Sequence, residues 1–233
     1  MQTQRAEAGW NHPQGRHVAG AANPLLQLQS LAVDGDGGRR FQEIALQLHS
    51  GAVAWIFGAQ PEDRSRLIRA VCGLQALYAG EMQWKGVGLP SSQRLMAAEL
   101  VYLGRHNAVK PTLTPREHLQ FHLRLRDCCP RLDIDSALRE LGLYEFADVE
   151  CGRLSASARR RVAIARLMIT RATILALDDP MLDLDAHEEA LVDRLVSVHL
   201  AEGSIAIYAS AHRPQLTAGQ ILAINLANFE VRR

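Results

Sequence analysis

The sequence predicts an α/β fold in which a mainly parallel sheet is joined by an antiparallel β part and an inserted helical subdomain. The apolar runs AVAWIF, TILALDDP and SIAIYASAH alternate with amphipathic helical patterns, which is typical of parallel strands covered on both faces. Two earlier segments alternate apolar and polar residues, as antiparallel strands do. Helical patterns dominate residues 105–170, so we expect the helical subdomain there.

Composition indicates one globular domain, expected over residues 25–233, after a mobile N-terminal tail at 1–24. The 26 basic and 25 acidic residues give a formal charge of +1, which provides no general attraction for nucleic acid, so no nucleic-acid partner is expected. No segment approaches the ~18 apolar residues of a membrane span. The tail lacks the apolar core of a secretory signal, and a transit peptide is a weaker alternative.

The four cysteines, at positions 72, 128, 129 and 151, lack the paired spacing and neighbouring histidines of a zinc site. We expect reduced, structural thiols. A redox pair at Cys128 and Cys129 is the alternative, although adjacent cysteines form only a strained disulfide.

The N-terminal half predicts two antiparallel strands at 25–33 and 44–51, separated by the turn-rich DGDGGRR. The buried strand AVAWIF follows, and then comes the loop GAQPEDRSRL. The next helix has apolar residues at helical spacing and Gly73 near its end. Further short strands are predicted at 80–86 and 99–104.

The second half opens with a helix in TPREHLQFHLRL, where Thr114, Pro115 and Glu117 form a capping-box pattern. The segment DIDSALRELGL predicts a second short helix that ends at Gly142. A buried strand at 173–180, the amphipathic helix AHEEALVDRLVSVHLAEG and a last buried strand at 204–212 complete the pattern.

Five motifs follow one another in a fixed order: the strand-loop-helix at 53–74, LSASARRRVAIARL, ILALDDP, LDLD and YASAH. Their order and spacing resemble the nucleotide-binding subunit of ABC transporters, which has a P-loop NTPase fold, over nearly all of the chain after residue 25. GEMQWKG, YLGRHNAVKPTLTPREHLQFH, GRLSASARRRVAIARL and TRATILALDDP resemble more narrowly the ATP-binding subunit of the haem exporter of cytochrome c maturation.

This resemblance implies ATP and Mg²⁺ as cofactors and integral-membrane permease subunits as partners. It also implies a homodimer, or a heterodimer with another ABC ATPase subunit, at the cytoplasmic face of the inner membrane.

The resemblance assigns chemistry to residues near the strand ends. Asp178 would reach the magnesium ion, and Asp179, one methylene shorter than the family's Glu, would orient the attacking water; a capping or salt-bridging pair is the alternative. His212 would sense the γ-phosphate, unless it is a core histidine. His106 stands where the family has a metal-linking Gln, and it is a weaker ligand because magnesium prefers oxygen.

The motif LSASA matches the segment that in this family contacts the γ-phosphate of the nucleotide held by the opposite subunit. Ser155 fits the pattern, whereas Ser157 replaces a glycine and restricts the approach of backbone to phosphate. Asp185 matches the position that communicates between the two nucleotide sites. For Arg159 to Arg161 we expect a solvated basic face.

The phosphate-loop pattern G-x-x-x-x-G-K-[ST] fits residues 58–65 only in part. Gly58 and Ser65 match, and Ser65 would also hold magnesium, but Asp63 replaces the second glycine and Arg64 the lysine. The resemblance places these four residues and Arg66 at the nucleotide. Pro61, where the family has another glycine, removes a backbone donor.

The substituted loop is what an ordinary helix start contains: proline in the first turn, followed by the acids Glu62 and Asp63 that complement the helix dipole. We therefore expect these carboxylates to occupy the anion position and nucleotide affinity to be much reduced or lost. Three functions follow: an ABC-type ATPase subunit for haem handling, a non-catalytic structural or regulatory subunit of the same complex, or a soluble ABC-type protein unrelated to membranes.

Overall fold

A computed structural model of the chain describes residues 23–35, 38–126 and 130–231. The predicted tail at 1–24 lies almost wholly outside these ranges, as do Cys128 and Cys129. Cys72 and Cys151 are buried free thiols, as expected. Within the described ranges, no helix is long and apolar enough to cross a membrane.

The larger sheet has five strands in the order β6-β7-β8-β3-β9, and every neighbouring pair is parallel. This confirms the predicted parallel sheet. The edge strand β9 was not predicted. The strands are β3 (Ala52–Phe57), β6 (Leu100–Leu103), β7 (Ile174–Asp178), β8 (Ile205–Ala209) and β9 (Gln220–Asn225).

The smaller sheet is antiparallel, with the order β2-β1-β4-β5. The predicted pairing of the first two strands is confirmed, and both are longer than the sequence pattern indicated. The strands are β1 (Leu26–Gly35), β2 (Gly38–Leu48), β4 (Ala79–Trp84) and β5 (Val87–Gly88).

Six α-helices connect or flank these strands in the described part of the chain. Three of them, α3 to α5, lie between β6 and β7 in sequence, together with short 3₁₀ helices at Tyr144–Phe146 and Cys151–Arg153. The short helix α2 was not predicted. The helices are α1 (Pro61–Val71), α2 (Gln93–Glu99), α3 (Pro115–Arg126), α4 (Ile134–Glu140), α5 (Ala156–Ile169) and α6 (Ala186–Ala201).

The parallel sheet is buried on both faces, because two hydrophobic clusters cover it. Alternate residues of each strand face opposite clusters, so Leu175 and Ala206 pack with the helices α3 to α6, whereas Ile174 and Ile207 pack with α1 and the antiparallel sheet. All five positions of β7 and of β8 are buried. This burial fixes the strands and therefore the residues at their carboxyl ends.

Candidate functional site

The candidate site lies at the carboxyl edge of the parallel sheet, where ligands bind in open α/β folds. The segments that follow β3, β6, β7 and β8 all emerge at this edge because these strands are parallel. They supply the loop at 58–60, the segment from Gly104, the Asp178–Asp179 pair and the loop that carries His212.

The loop between β3 and α1 contains two residues with a left-handed backbone, Gly58 (φ +69°) and Ala59 (φ +52°). A Cβ added at Gly58 would collide with the Asn225 side chain, so the packing there requires glycine. Gln60 is the N-cap residue of α1, and Pro61 is the first helical residue. The predicted ordinary helix start is therefore confirmed.

The two acids of this first turn bind arginines from other segments. The Glu62 carboxylate accepts a hydrogen bond from Arg105 at 3.0 Å, and Asp63 pairs with Arg40 at 3.4 Å. Arg40 also pairs with Glu230 at 3.1 Å. Backbone hydrogen bonding at the helix start and the bond from Arg105 hold the pKa of Glu62 below its ordinary value. The carboxylates thus meet protein cations at the helix start.

Arg64, at the position of the phosphate-loop lysine, forms an ion pair with Asp179. Its Nη2 lies 3.2 Å from Oδ1 and 3.4 Å from Oδ2 of Asp179, and its Nη1 donates to the Ala59 carbonyl at 3.2 Å. Only 6% of the Arg64 side chain is exposed. Its Nε is buried without a hydrogen-bond partner among the described residues.

Asp179 is in contact with a second arginine, since Nε of Arg105 lies 3.5 Å from Oδ2. Its backbone is left-handed (φ +45°), a conformation that Asp tolerates better than most residues. Its N–H donates to the Ala209 carbonyl at 2.8 Å. The salt-bridging interpretation of this residue therefore matches the observed contacts.

Asp178 is 2% exposed and has uncharged partners. Ser65 Oγ donates to Oδ1 at 2.8 Å, and the Tyr102 hydroxyl donates to Oδ2 at 3.1 Å. Burial raises the pKa of Asp178, and the two hydroxyl donors offset this only in part. Sequence analysis anticipated Ser65 and Asp178 but missed Tyr102, which lies on β6, the strand beside β7.

The backbone carbonyl of Asp179 accepts a hydrogen bond from Arg160, a residue of α5 that is 1% exposed. Its guanidinium donates four hydrogen bonds, to the carbonyls of Gly104 (2.7 Å), Pro180 (2.8 Å) and Asp179 (3.0 Å) and to Oδ1 of Asn107 (3.0 Å). These bonds tie the segment after β6 to the segment after β7.

The predicted solvated basic face at Arg159 to Arg161 is wrong. Arg160 is buried, Arg159 donates to the Leu154 carbonyl at 2.6 Å, and Arg161 donates to the Leu141 carbonyl at 2.8 Å. The physical reason is that α5 packs against neighbouring segments, so these guanidinium groups meet backbone carbonyls and, for Arg161, the Glu188 carboxylate at 3.2 Å.

The residues of the two remaining motifs begin helices. Ser155 caps α5 by accepting from the Ala158 N–H at 3.1 Å, and Ser157 is half-buried in its first turn. Asp185 caps α6 and forms a capping box with Glu188. These local roles are compatible with the roles implied by the family resemblance, which stay predictions.

His212 is exposed in the loop after β8, so the alternative of a core histidine is wrong. This loop is fixed further along by α6: the Gln215 N–H donates to Asp193 at 2.8 Å, and the Thr217 N–H donates to Ser197 Oγ at 3.0 Å.

His106 is exposed as well, and among the described residues no hydrogen bond joins it to Asp178. Arg66 is half-buried on α1. The structure therefore brings together Arg64, Ser65, Asp178 and Asp179, and adds Tyr102, Arg105 and Arg160, which sequence analysis had not assigned to the site.

The site fits a magnesium ion better than it fits a polyphosphate. Ser65 and Asp178 present a hydroxyl and a carboxylate side by side, and magnesium prefers such oxygen ligands. In contrast, Pro61 lacks an N–H, two carboxylates occupy the first turn of α1, and Arg64 is paired with Asp179. The loop at 58–65 does not fit a triphosphate in this conformation.

Comparison with known proteins identifies relatives over most of the chain. Residues 41–182 match the family model described as ABC transporter. The chain is 30% identical over 203 residues to the cytochrome c biogenesis ATP-binding export protein CcmA of Hahella chejuensis, covering 87% of this chain and 96% of that relative. The protein of the same name from Nitrosococcus oceani is 32% identical over 206 residues, covering 88% and 94%.

Solved structures show the same fold. An ABC transporter ATP-binding protein from Pyrococcus furiosus superimposes with a TM-score of 0.71 at 20% identity, covering 88% of this chain and 99% of that one. The dimeric structure of a bacterial ABC transporter cassette gives a TM-score of 0.72 at 18% identity, with coverage of 89% and 97%. The predicted P-loop NTPase fold is thereby confirmed.

Proposed function

Because the chain belongs to the ABC transporter ATP-binding family, we propose that it is the nucleotide-binding subunit of a complex that handles haem for cytochrome c maturation, with weak or lost ATP hydrolysis. The names of its relatives, cytochrome c biogenesis ATP-binding export proteins, support the assignment to cytochrome c biogenesis. In this proposal the chain docks on integral-membrane permease subunits at the cytoplasmic face of the inner membrane. It pairs with itself or with another ABC ATPase subunit.

The pair between Arg64 and Asp179 carries the proposal of weak hydrolysis. Arg64 stands where a lysine would bind the outer phosphates, and Asp179 stands where a carboxylate would orient the attacking water. At 3.2 Å they neutralise each other, so each is engaged before any ligand enters. Phosphoryl transfer depends on positioned charge, and a displacement of about 1 Å can reduce a rate on the order of 100-fold.

Ser65, Asp178 and His212 favour a role in binding magnesium and nucleotide over a role in hydrolysis. Ser65 and Asp178 would hold magnesium, which supplies positive charge beside the phosphates when it is bound with ATP. His212 would lie near the γ-phosphate. Because the loop at 58–65 does not fit a triphosphate, we expect little or no hydrolysis by this chain.

A non-catalytic structural or regulatory subunit is the second candidate. Five residues that differ from the family pattern lie at positions that would contact the nucleotide or the attacking water. In contrast, the two sheets, the helix caps and the Arg160 contacts are well formed. A heterodimer could keep activity at a site supplied by an intact partner, while a homodimer would carry the departures twice. The departures are at Pro61, Asp63, Arg64, Ser157 and Asp179.

Affinity purification of the tagged chain from solubilised membranes tests the place in a complex. We expect recovery of permease subunits, and of a second ABC ATPase subunit if the chain forms a heterodimer. An untagged strain processed in parallel is the control. Recovery of the chain only as a soluble monomer would contradict both candidate functions.

A further inference from the structure

We propose that Glu62 and Asp179 form an internal anionic plug that occupies the arginines Arg64 and Arg105, and that neutralising the plug opens a site for phosphate-type oxyanions. This inference rests on the proposed function because it explains how the nucleotide site of this chain is kept closed. The ligand class is a polyphosphate, and the plug is autoinhibitory.

The four groups form one line of alternating charge. Glu62 lies 3.0 Å from Arg105, Arg105 lies 3.5 Å from Asp179, and Asp179 lies 3.2 Å from Arg64. Each carboxylate therefore contacts a guanidinium group, and Asp179 contacts two. Guanidinium groups bind carboxylates and phosphates through the same fork of N–H donors, so the two kinds of anion compete for the same atoms.

The charges of the plug cancel. Two carboxylates and two guanidinium groups sum to zero, so the cluster offers no net attraction to a polyphosphate. If both carboxylates become amides, the same four side chains carry two positive charges beside the N-terminus of α1, an arrangement that attracts anions.

The buried Nε of Arg64 is a second, independent indication of a ligand. This donor has no hydrogen-bond partner among the described residues, although 6% of the side chain is exposed. Buried donors are rarely left without an acceptor, and a phosphate has more acceptor oxygens than Asp179 can offer. Asp179 thus satisfies Arg64 only in part.

The two ion pairs of the plug, Glu62–Arg105 and Asp179–Arg64, differ in burial. The more exposed pair should separate more easily than the buried one. The Glu62 side chain is 67% exposed and that of Arg105 is 33% exposed, so solvent screens this pair. The Asp179 and Arg64 side chains are 19% and 6% exposed. The outer pair is therefore easy to release, and the inner pair is the effective barrier.

Titration calorimetry with inorganic tripolyphosphate, without magnesium, tests the proposal on the purified chain. We expect the double variant Glu62→Gln, Asp179→Asn to bind at least tenfold more tightly than the wild type. Addition of Arg64→Gln should abolish the gain. The matched control is Glu140→Gln, Glu202→Gln, which removes two carboxylates that also pair with arginines, Arg194 and Arg131, away from this site.

Equal binding of tripolyphosphate by the double variant and its control would overturn the proposal, because the gain in affinity would then follow from net charge alone. Tight binding by the wild type would overturn it as well. Should the double variant fail to fold, Asp179→Asn alone, which suits the left-handed backbone of this residue and neutralises the inner pair, should give a smaller gain, and no gain would overturn the proposal. The probe needs neither permease nor hydrolysis, so these outcomes are independent of the purification that tests the proposed function.

Discussion

Asp178 and Asp179 are neighbours in the chain, yet their carboxylates have opposite surroundings. Asp178 is buried, ends a regular strand and binds two uncharged hydroxyls, of Ser65 and Tyr102. Asp179 has a left-handed backbone and pairs with Arg64 and Arg105. The Asp178 side presents a carboxylate and a hydroxyl, the oxygen groups that magnesium prefers, whereas the Asp179 side is occupied by the protein's own charges.

This difference indicates that the fold and the chemistry of the site have separate requirements. Burial of β7 fixes Asp178, and Ser65 on α1 is buried beside it. The charged residues around Asp179 contact each other, since its carboxylate pairs with Arg64 and Arg105. Substitutions that affect one side alone therefore test the account.

The largest effect is expected from Arg160→Met. This substitution removes a buried cation and leaves four acceptors around the backbone of Asp179 without their donor. A buried acceptor left without its donor costs about 1–3 kcal/mol, so the free energy of unfolding should fall by at least that amount in urea denaturation.

The exposed Arg171 provides the control for this measurement. Arg171→Ala should change the free energy of unfolding by less than about 0.5 kcal/mol, as surface substitutions usually do. A similar small change for Arg160→Met would mean that Arg160 does not hold the Asp179 side in place.

A smaller, pH-dependent effect is expected from Asp178→Asn. Burial raises the pKa of Asp178 in the folded state, so its stabilising contribution is complete below the unfolded pKa and is lost as pH rises through the folded pKa. The asparagine does not titrate. Relative to the wild type, the variant should therefore gain stability as the pH rises from about 4, the ordinary pKa of an aspartate, toward neutrality.

Urea denaturation across this pH range measures the difference, with Glu81→Gln as a control at an exposed carboxylate. A difference between wild type and Asp178→Asn that stays constant with pH would show that burial does not penalise the charged form of Asp178.

The smallest effect is expected from Arg105→Ala. Its two ion pairs are partly exposed, so their loss should lower the free energy of unfolding by at most about 1 kcal/mol. The loss should diminish between about 0.05 M and about 1 M NaCl, because salt screens exposed charges. Arg94→Ala, at another exposed arginine, should show no such salt dependence.

The regular parts of the fold could be predicted because their sequence patterns are local. The buried runs of β3, β7 and β8 and the capping pattern at Thr114 give direct signals, and the resemblance of the motifs to a known family points to Ser65 and Asp178. The edge strand β9 lacks such a signal, because only one of its six residues is buried and it therefore has no continuous buried apolar run.

The charged contacts of the site could not be predicted in the same way. Three consecutive arginines in a helical pattern resemble a solvated face, and only the packing of α5 against the strand ends shows that Arg160 is buried. Arg105 pairs with residues 43 and 74 positions away in sequence (Glu62 and Asp179). A partial signal existed: Arg105 follows β6, and residues after parallel strands gather at one edge of the sheet.

Titration of the purified wild-type chain with magnesium-ATP tests the central claim most directly, with Glu62→Gln, Asp179→Asn as the comparison. If the charges around Asp179 close the site, the wild type should show no saturable binding below about 1 mM, and the variant should bind at least tenfold more tightly, a difference of about 1.4 kcal/mol. Micromolar binding by the wild type with a stoichiometry near one would contradict the account.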